Sequence, residues 1–135
     1  MSSAPIVNAS PLVFLGNAGR LDLLQSLGGG RIAVPSVVAR EVTETHHHDR
    51  ARAVVAAATW IERIEPVDVP ESVVRWGLDR GEAQVVAMGL ANPGALLVID
   101  DLAGRKCAIA HRLDVIGTRR WRCGCYAAAR RSRRP

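Results

Sequence analysis

The stretch ALLVIDDLAGR, Ala95–Arg105, decides the fold. Its first half is an almost wholly apolar strand, the kind buried on both faces of a parallel sheet. It stops abruptly at Asp100-Asp101, and the text from there to Leu113 has a helical pattern. Near the start, PIVNASPLVFLG, Pro5–Gly16, repeats the arrangement on a smaller scale, with Ile6-Val7 running into Asn8. Two core strands thus each finish on oxygen-bearing side chains able to bind a metal.

Working outward from these two strands, the remaining elements alternate. Ser10 and Pro11 suit the cap and first turn of a helix that carries Leu12, Val13 and Leu15 and breaks near Gly16-Asn17. RLDLLQSL is a second helix, with Leu21, Leu24 and Leu27 on one face, ended by Gly28-Gly29-Gly30. RIAV is a second strand, and Pro35 opens a helix with Val37, Val38 and Val42 inward and Glu41 beside them. Residues 46–58 read as an alanine-rich helix, WIERIEPV as a strand near a sheet edge, and residues 71–78 as a short helix. A helix opening at Gly81 and closing at Asn92-Pro93-Gly94 precedes the central strand, and DVIG is the last strand.

Such alternation predicts an α/β fold: a three-layer α/β/α sandwich around a central, mostly parallel sheet. Right-handed crossovers place the carboxyl ends of the strands along one edge, where open sheets of this kind gather ligands. The residues at that rim are Asn8, Glu41, Glu82 in the first turn of its helix, Asp100 and Asp101. A hard divalent cation, Mg²⁺ or Mn²⁺, takes oxygen ligands of this kind. Two such ions about 4 Å apart can activate a water and stabilise the leaving oxygen of a phosphodiester. Each residue also has a plain structural reading. Asp101, and less directly Asp100, suits a helix cap, Glu82 complements a helix dipole, Glu41 suits a solvated helix face and Asn8 a turn.

The chain has 135 residues, the size of one domain, and 48% of them are apolar, enough for one core. Aromatics are 4%, so Val, Leu, Ile and Ala must build it. No apolar run is long enough to span a membrane, and MSSAP does not begin a signal peptide, so a cytoplasmic, prokaryote-like setting is expected. The net charge of +5 is unevenly placed: seven of the 18 basic residues follow Thr118 with no acid among them. Residues 1–118 keep 11 basic against 13 acidic side chains, a net of −2. The division is a domain over 1–118 and a basic, arginine-rich tail over 119–135 that suits either a solvated end or a nucleic-acid patch. Three cysteines make no disulfide framework; Cys107 reads as a small buried apolar residue, and Cys123-x-Cys125 lacks the four ligands of a closed zinc site. His46-His47-His48 reads as a solvated helix start, and Trp60 and Trp76 as cover for the core, with Trp121 the better candidate to stack a base.

NASPLVFLGNAGRLDLL, PSVVAREV, LDRGEAQVVAMGL, LLVIDDLAGRKCA and VIGT resemble, in order, the PIN domain, and most of all its small VapC-like branch. The resemblance spans about residues 5–118. It implies a Mg²⁺- or Mn²⁺-dependent endoribonuclease that cuts RNA phosphodiester bonds by two-metal-type hydrolysis, often the toxin of a toxin–antitoxin pair and often a homodimer. It implies Glu41, Glu82, Asp100 and Asp101 as catalytic acids, the same four with Asn8 as metal ligands, and Ser10 and Arg105 as substrate contacts. Asn8 stands where the family usually has an acid; its amide oxygen can still ligate, with one charge fewer and weaker metal binding. After Thr118 the amphipathic closing helix of the family is replaced by RRWRCGCYAAARRSRRP, which resembles a chain read in a shifted frame or a truncated gene. A rival reading keeps the fold as a catalytically weak module that binds RNA or a protein. A receiver-like phosphoacceptor fits less well, because its acid pair follows the first strand and Lys106 lies in the wrong element.

Overall fold

The computed structural model describes residues 4–44 and 49–118. Within them five strands form one sheet: β1 (Ile6–Val7), β2 (Ile32–Pro35), β3 (Ile61–Ile64), β4 (Leu96–Val98) and β5 (Asp114–Ile116). The order across the sheet is β3-β2-β1-β4-β5, and every pairing is parallel. Seven helices accompany the strands among the described residues: α1 (Ala9–Asn17), α2 (Asp22–Leu27), α3 (Ser36–Glu44), α4 (Asp49–Ala57), α5 (Glu71–Val74), α6 (Arg80–Ala91) and α7 (Leu102–Ala110). The architecture is the three-layer α/β/α sandwich expected, with a sheet wholly rather than mostly parallel.

The core forms where apolar runs meet. Val7, Ile32, Val34, Leu97, Val98 and Ile99 are all buried in the sheet. Helices α1, α3 and α4 pack on one another, while α6 lies against β1, β2 and β4 with α5 and α7 beside it. Leu12, Val38 and Val42 seal the first group of helices; Val85, Val86, Met88 and Cys107 seal the second. Burial pushes the Cys107 thiol up, in keeping with an inert packing residue. Trp60 packs against the core as expected, whereas Trp76 is exposed, because the α5 helix is shorter than the sequence suggested and ends at a turn around Gly77. β3, the expected edge strand, is an edge, with its outer residues half-buried or exposed.

The strand order places the switch point between β1 and β4. Chain connections run from β1 toward β2 and β3, then return past β1 to β4 and β5. Helices diverge there, which opens a crevice beyond the carboxyl ends of the two strands. Val7 pairs with Val98, and the Asn8 amide donates to the Val98 carbonyl at 3.0 Å, so Asn8 and the Ile99–Asp101 segment leave the sheet at the same height.

Two local expectations change. α1 begins at Ala9 and its N-cap is Asn8, not Ser10, because the last ladder bond of β1 leads straight into the helix. Pro35 closes β2, and α3 opens at Ser36. His46–His48, Trp121, Cys123, Cys125 and the basic segment 119–135 lie outside the described residues. Among the described residues no helix is long and apolar enough to cross a membrane.

Candidate active site

Asn8 follows β1 directly and is 4% exposed. Its backbone has the extended geometry of an N-cap, but its side chain makes no capping bond, and its side-chain amide has no hydrogen bond among the described residues. A buried amide without partners is unfavourable by about 1–3 kcal/mol, so this one points to something that would occupy it.

Across the crevice, α6 opens with Asp79 as N-cap, whose Oδ1 accepts from the Glu82 amide at 2.8 Å. The pattern D-x-x-E, Asp79 to Glu82, is a capping box in acidic form. It holds the Glu82 side chain in the first turn, where the residue is 8% exposed. Glu82 is pushed up to about 7 by burial first, then by the charges of Asp79 and Asp101, a side-chain hydrogen bond with Asp101, and the charge of Glu41. Glu41, on the more open face of α3, is also raised, by desolvation and then by Asp79. Four acids from two helix starts and one helix face therefore act on one another.

α7 repeats the device. Asp101 is its N-cap and accepts from the Gly104 amide at 3.3 Å. Its expected capping role and its place beside Glu82 coexist in the same side chain. Gly104 has a further duty: a Cβ there would stand 2.9 Å from Ile99 Cγ2 and 3.6 Å from Glu82 Oε2. Gly81 likewise leaves room, since a Cβ would stand 3.6 Å from both Asn8 Oδ1 and Asp79 Oδ1. The two glycines let two helix N-termini close on the end of β1.

Asp100 is placed differently. Its carboxylate accepts from the Thr118 amide at 2.6 Å, and the Thr118 hydroxyl lies 2.8 and 2.9 Å from its two oxygens. It shares a groove of about 570 Å³ with Ser10, Phe14, Asp101, Arg105 and Thr118. Arg105 points its guanidinium toward Gly117 and Asp100, for a Cβ at Gly117 would meet Arg105 Nη1 at 2.8 Å and Asp100 Oδ1 at 3.1 Å. A second groove, of about 640 Å³, runs between α1 and α3 and is lined by Ser10, Phe14, Asn17 and Glu41 among others.

The rim therefore gathers Asn8, Glu41, Glu82 and Asp101 around Gly81 and Gly104, with Asp100, Ser10 and Arg105 along the adjoining groove. Asp79 and Thr118 escaped the reading of the sequence. The D-x-x-E pattern could have revealed Asp79; Thr118 lies 18 residues from its partner, with no local signal. Among the described residues no three His, Cys, Asp or Glu side chains stand together closely enough to hold a metal ion already. The chemistry of the donor set still fits a hard divalent cation: an unpartnered buried amide, a buried carboxyl opposed by three acids, and oxygen donors only.

The fold is a parallel α/β sandwich with carboxylates at its switch-point crevice. The chain belongs to the PIN-domain family: the family model DUF3368, described as a PIN domain, matches residues 4–119. PIN domains are generally nucleases, hydrolases that act on nucleic acid. No curated protein matches the chain.

Proposed function

We propose that the protein is a Mg²⁺- or Mn²⁺-dependent endoribonuclease, acting as the toxin of a toxin–antitoxin pair and as a homodimer. One observation carries the nuclease reading: a buried glutamate, Glu82, is crowded by Asp79, Asp101 and Glu41 at the mouth of the β1–β4 crevice. Such crowding is unfavourable in the free protein and is relieved by a cation, so the site stores affinity for one.

Asn8, Glu41, Glu82, Asp100 and Asp101 would hold the ion, with Asp79 fixing the Glu82 turn. When bound, it supplies Lewis-acid stabilisation of charge on the phosphodiester oxygens and a more acidic water. The chain's own residues do the rest. Arg105, half-buried beside Asp100, offers a guanidinium to a phosphate. Thr118 locks Asp100 in one orientation, so its free lone pairs keep a fixed direction. Ser10 offers a hydroxyl at the junction of the two grooves. Burial of Asn8 and Glu82 keeps bulk water from the deepest donors. The toxin and dimer assignments draw on the resemblance to the VapC-like branch, and the basic segment after Thr118 would add affinity for RNA that falls steeply with salt.

The test is cleavage of a structured RNA in Mn²⁺ or Mg²⁺, repeated with EDTA and with Asp101→Asn. Asparagine caps a helix as well as aspartate, so this variant removes charge and keeps α7. Cleavage lost in both controls supports the nuclease. RNA that binds but stays intact with the native protein and either ion supports the binding module instead.

A further inference from the structure

Ser72 and His111 lie 39 residues apart in the chain and meet at the surface, with His111 Nε2 3.0 Å from Ser72 Oγ. The other ring nitrogen, Nδ1, lies 2.8 Å from the Cys107 carbonyl oxygen. A carbonyl can only accept, so in the neutral ring Nδ1 carries the hydrogen and donates it there. Nε2 then keeps a free lone pair, and the Ser72 hydroxyl donates to it. A hydroxyl, an imidazole aimed to take its proton, and a third group that orients the imidazole are the parts of an activated nucleophile.

Both partners are held in place. The Cys107 carbonyl also accepts the His111 backbone amide at 3.1 Å, so ring and main chain are tied to one atom. His111 is the C-cap of α7, and beyond it the Arg112 amide donates to the Ile109 carbonyl and the Leu113 amide to the Ala108 carbonyl. Arg112 closes that turn in the left-handed conformation that favours glycine, at a φ of 60°. On α5, Val73 is buried and anchors the short helix, while Ser72 beside it is exposed. Val74 and Trp76, two and four residues on, are exposed as well, so apolar surface lies open within the same segment. The pair stands at the opposite end of α7 from the N-cap Asp101, and no step assigned to the acidic crevice uses it.

We propose that Ser72 is a nucleophile and His111 its general base, a second reactive centre that takes acyl groups from small apolar esters without a metal. Ser72 Oγ attacks the acyl carbon while its proton passes to His111 Nε2. The bond from that carbon to the leaving oxygen breaks, and the oxygen departs with the electron pair and takes the proton from Nε2. The products are acyl-Ser72 and an alcohol. Water then repeats the step: its proton passes to Nε2, its oxygen bonds to the acyl carbon, and Ser72 Oγ leaves and recovers the proton. The sum is ester and water to acid and alcohol. Because Ser72 is exposed, the ester needs no enclosed cavity, and a good leaving group is the main demand placed on it.

The test is incubation of the full chain with 4-nitrophenyl butyrate in EDTA, with nitrophenolate followed by absorbance and the butyryl group located by mass spectrometry of peptides. Ser72 should be acylated in preference to Ser26, which is also exposed and serves as the control within the same molecule. His111→Gln should slow acylation of Ser72 by roughly tenfold or more, the loss expected when a general base is removed. A hydrogen bond that only tethered α5 would change the melting temperature in that variant and leave the labelling rate alone. If His111→Gln fails to fold, Ser72→Ala decides: it alters one exposed side chain, and nitrophenolate release should fall by a similar factor. No adduct on Ser72, labelling no faster than at Ser26, equal rates in His111→Gln, or undiminished release by Ser72→Ala would overturn the proposal. EDTA keeps the result independent of the nuclease reading, whose own assay needs the ion.

Discussion

On one side of the β1–β4 crevice, Asp100 accepts hydrogen bonds from the amide and hydroxyl of Thr118 and has Arg105 nearby. On the other, Glu82 is buried and meets Asp79, Asp101 and Glu41. Both carboxylates sit at the mouth of the same sheet, a few residues from a strand end or a helix start. The first is satisfied by the protein itself; the second is left in conflict. A carboxylate kept only for architecture attracts donors, as Asp100 has. A buried one surrounded by other acids is a standing destabilisation, and proteins accumulate such strain at functional sites. The difference separates the two halves: Asp100 is held in one orientation by Thr118, and Glu82 is buried among acids with no cation beside it among the described residues.

The largest expected effect tests the conflicted half. Glu82→Gln should lower metal-dependent cleavage by roughly 100-fold or more, the scale on which removal of a transition-state electrostatic contact acts. The same change should raise the melting temperature of the metal-free protein at neutral pH. Activity and stability measured on the same sample would move in opposite directions; a joint fall would mean that Glu82 is an ordinary packing residue.

Next in size is the pH dependence of the metal-free protein. Glu82 titrates near 7 when folded against its ordinary 4.5, so the folded chain holds an extra proton between those values. The contribution of this group is most favourable below 4.5 and is lost as pH rises through about 7, by up to about 3 kcal/mol. Denaturant melts from pH 4.5 to 8 should show that loss in the native protein and much less of it in Glu82→Gln. Parallel curves would remove the contrast between the two halves.

The satisfied half responds in the ordinary way. Thr118→Val removes the hydroxyl and leaves Asp100 one backbone donor, which should destabilise the protein by about 1–2 kcal/mol at neutral pH. An unchanged melting temperature would mean the Thr118 contact contributes nothing.

The smallest effect lies at the end of β1. Asn8→Asp adds a charge to a buried, unpartnered position. It should tighten Mn²⁺ binding by a few-fold to roughly tenfold, about 1 kcal/mol, and lower metal-free stability. No gain in affinity would remove Asn8 from the ligand set.

Most of the fold was legible because its strands are locally written. ALLVI and RIAV carry their burial in five and four letters, and parallel pairing follows from the helices between them. The acids after ALLVI and in GEAQ were legible for the same reason: they stand at boundaries the apolar pattern defines. What depended on capping was harder to see. The expected start of α6 at Gly81 hid Asp79, and the expected Ser10 cap hid the fact that Asn8 both ends β1 and opens α1. What depended on distance in the chain was not legible at all. Nothing near Asp100 announces Thr118, and nothing near Phe14 says that its helix face borders two grooves. Trp76 shows the converse error, a large side chain assigned to the core by type and left exposed by a turn at Gly77.

Calorimetric titration of the metal-free protein with Mn²⁺ at pH 7.5, set beside the same titration of Glu82→Gln, bears on the central claim most directly. Saturable binding is expected in the native protein, with protons released as Glu82 ionises and with stability rising by about 2.7 kcal/mol at a hundredfold excess over Kd. Glu82→Gln should bind far more weakly and release no such protons. Equal affinity and equal proton release in the two proteins would contradict the claim that the crowded acids around Glu82 are a cation site.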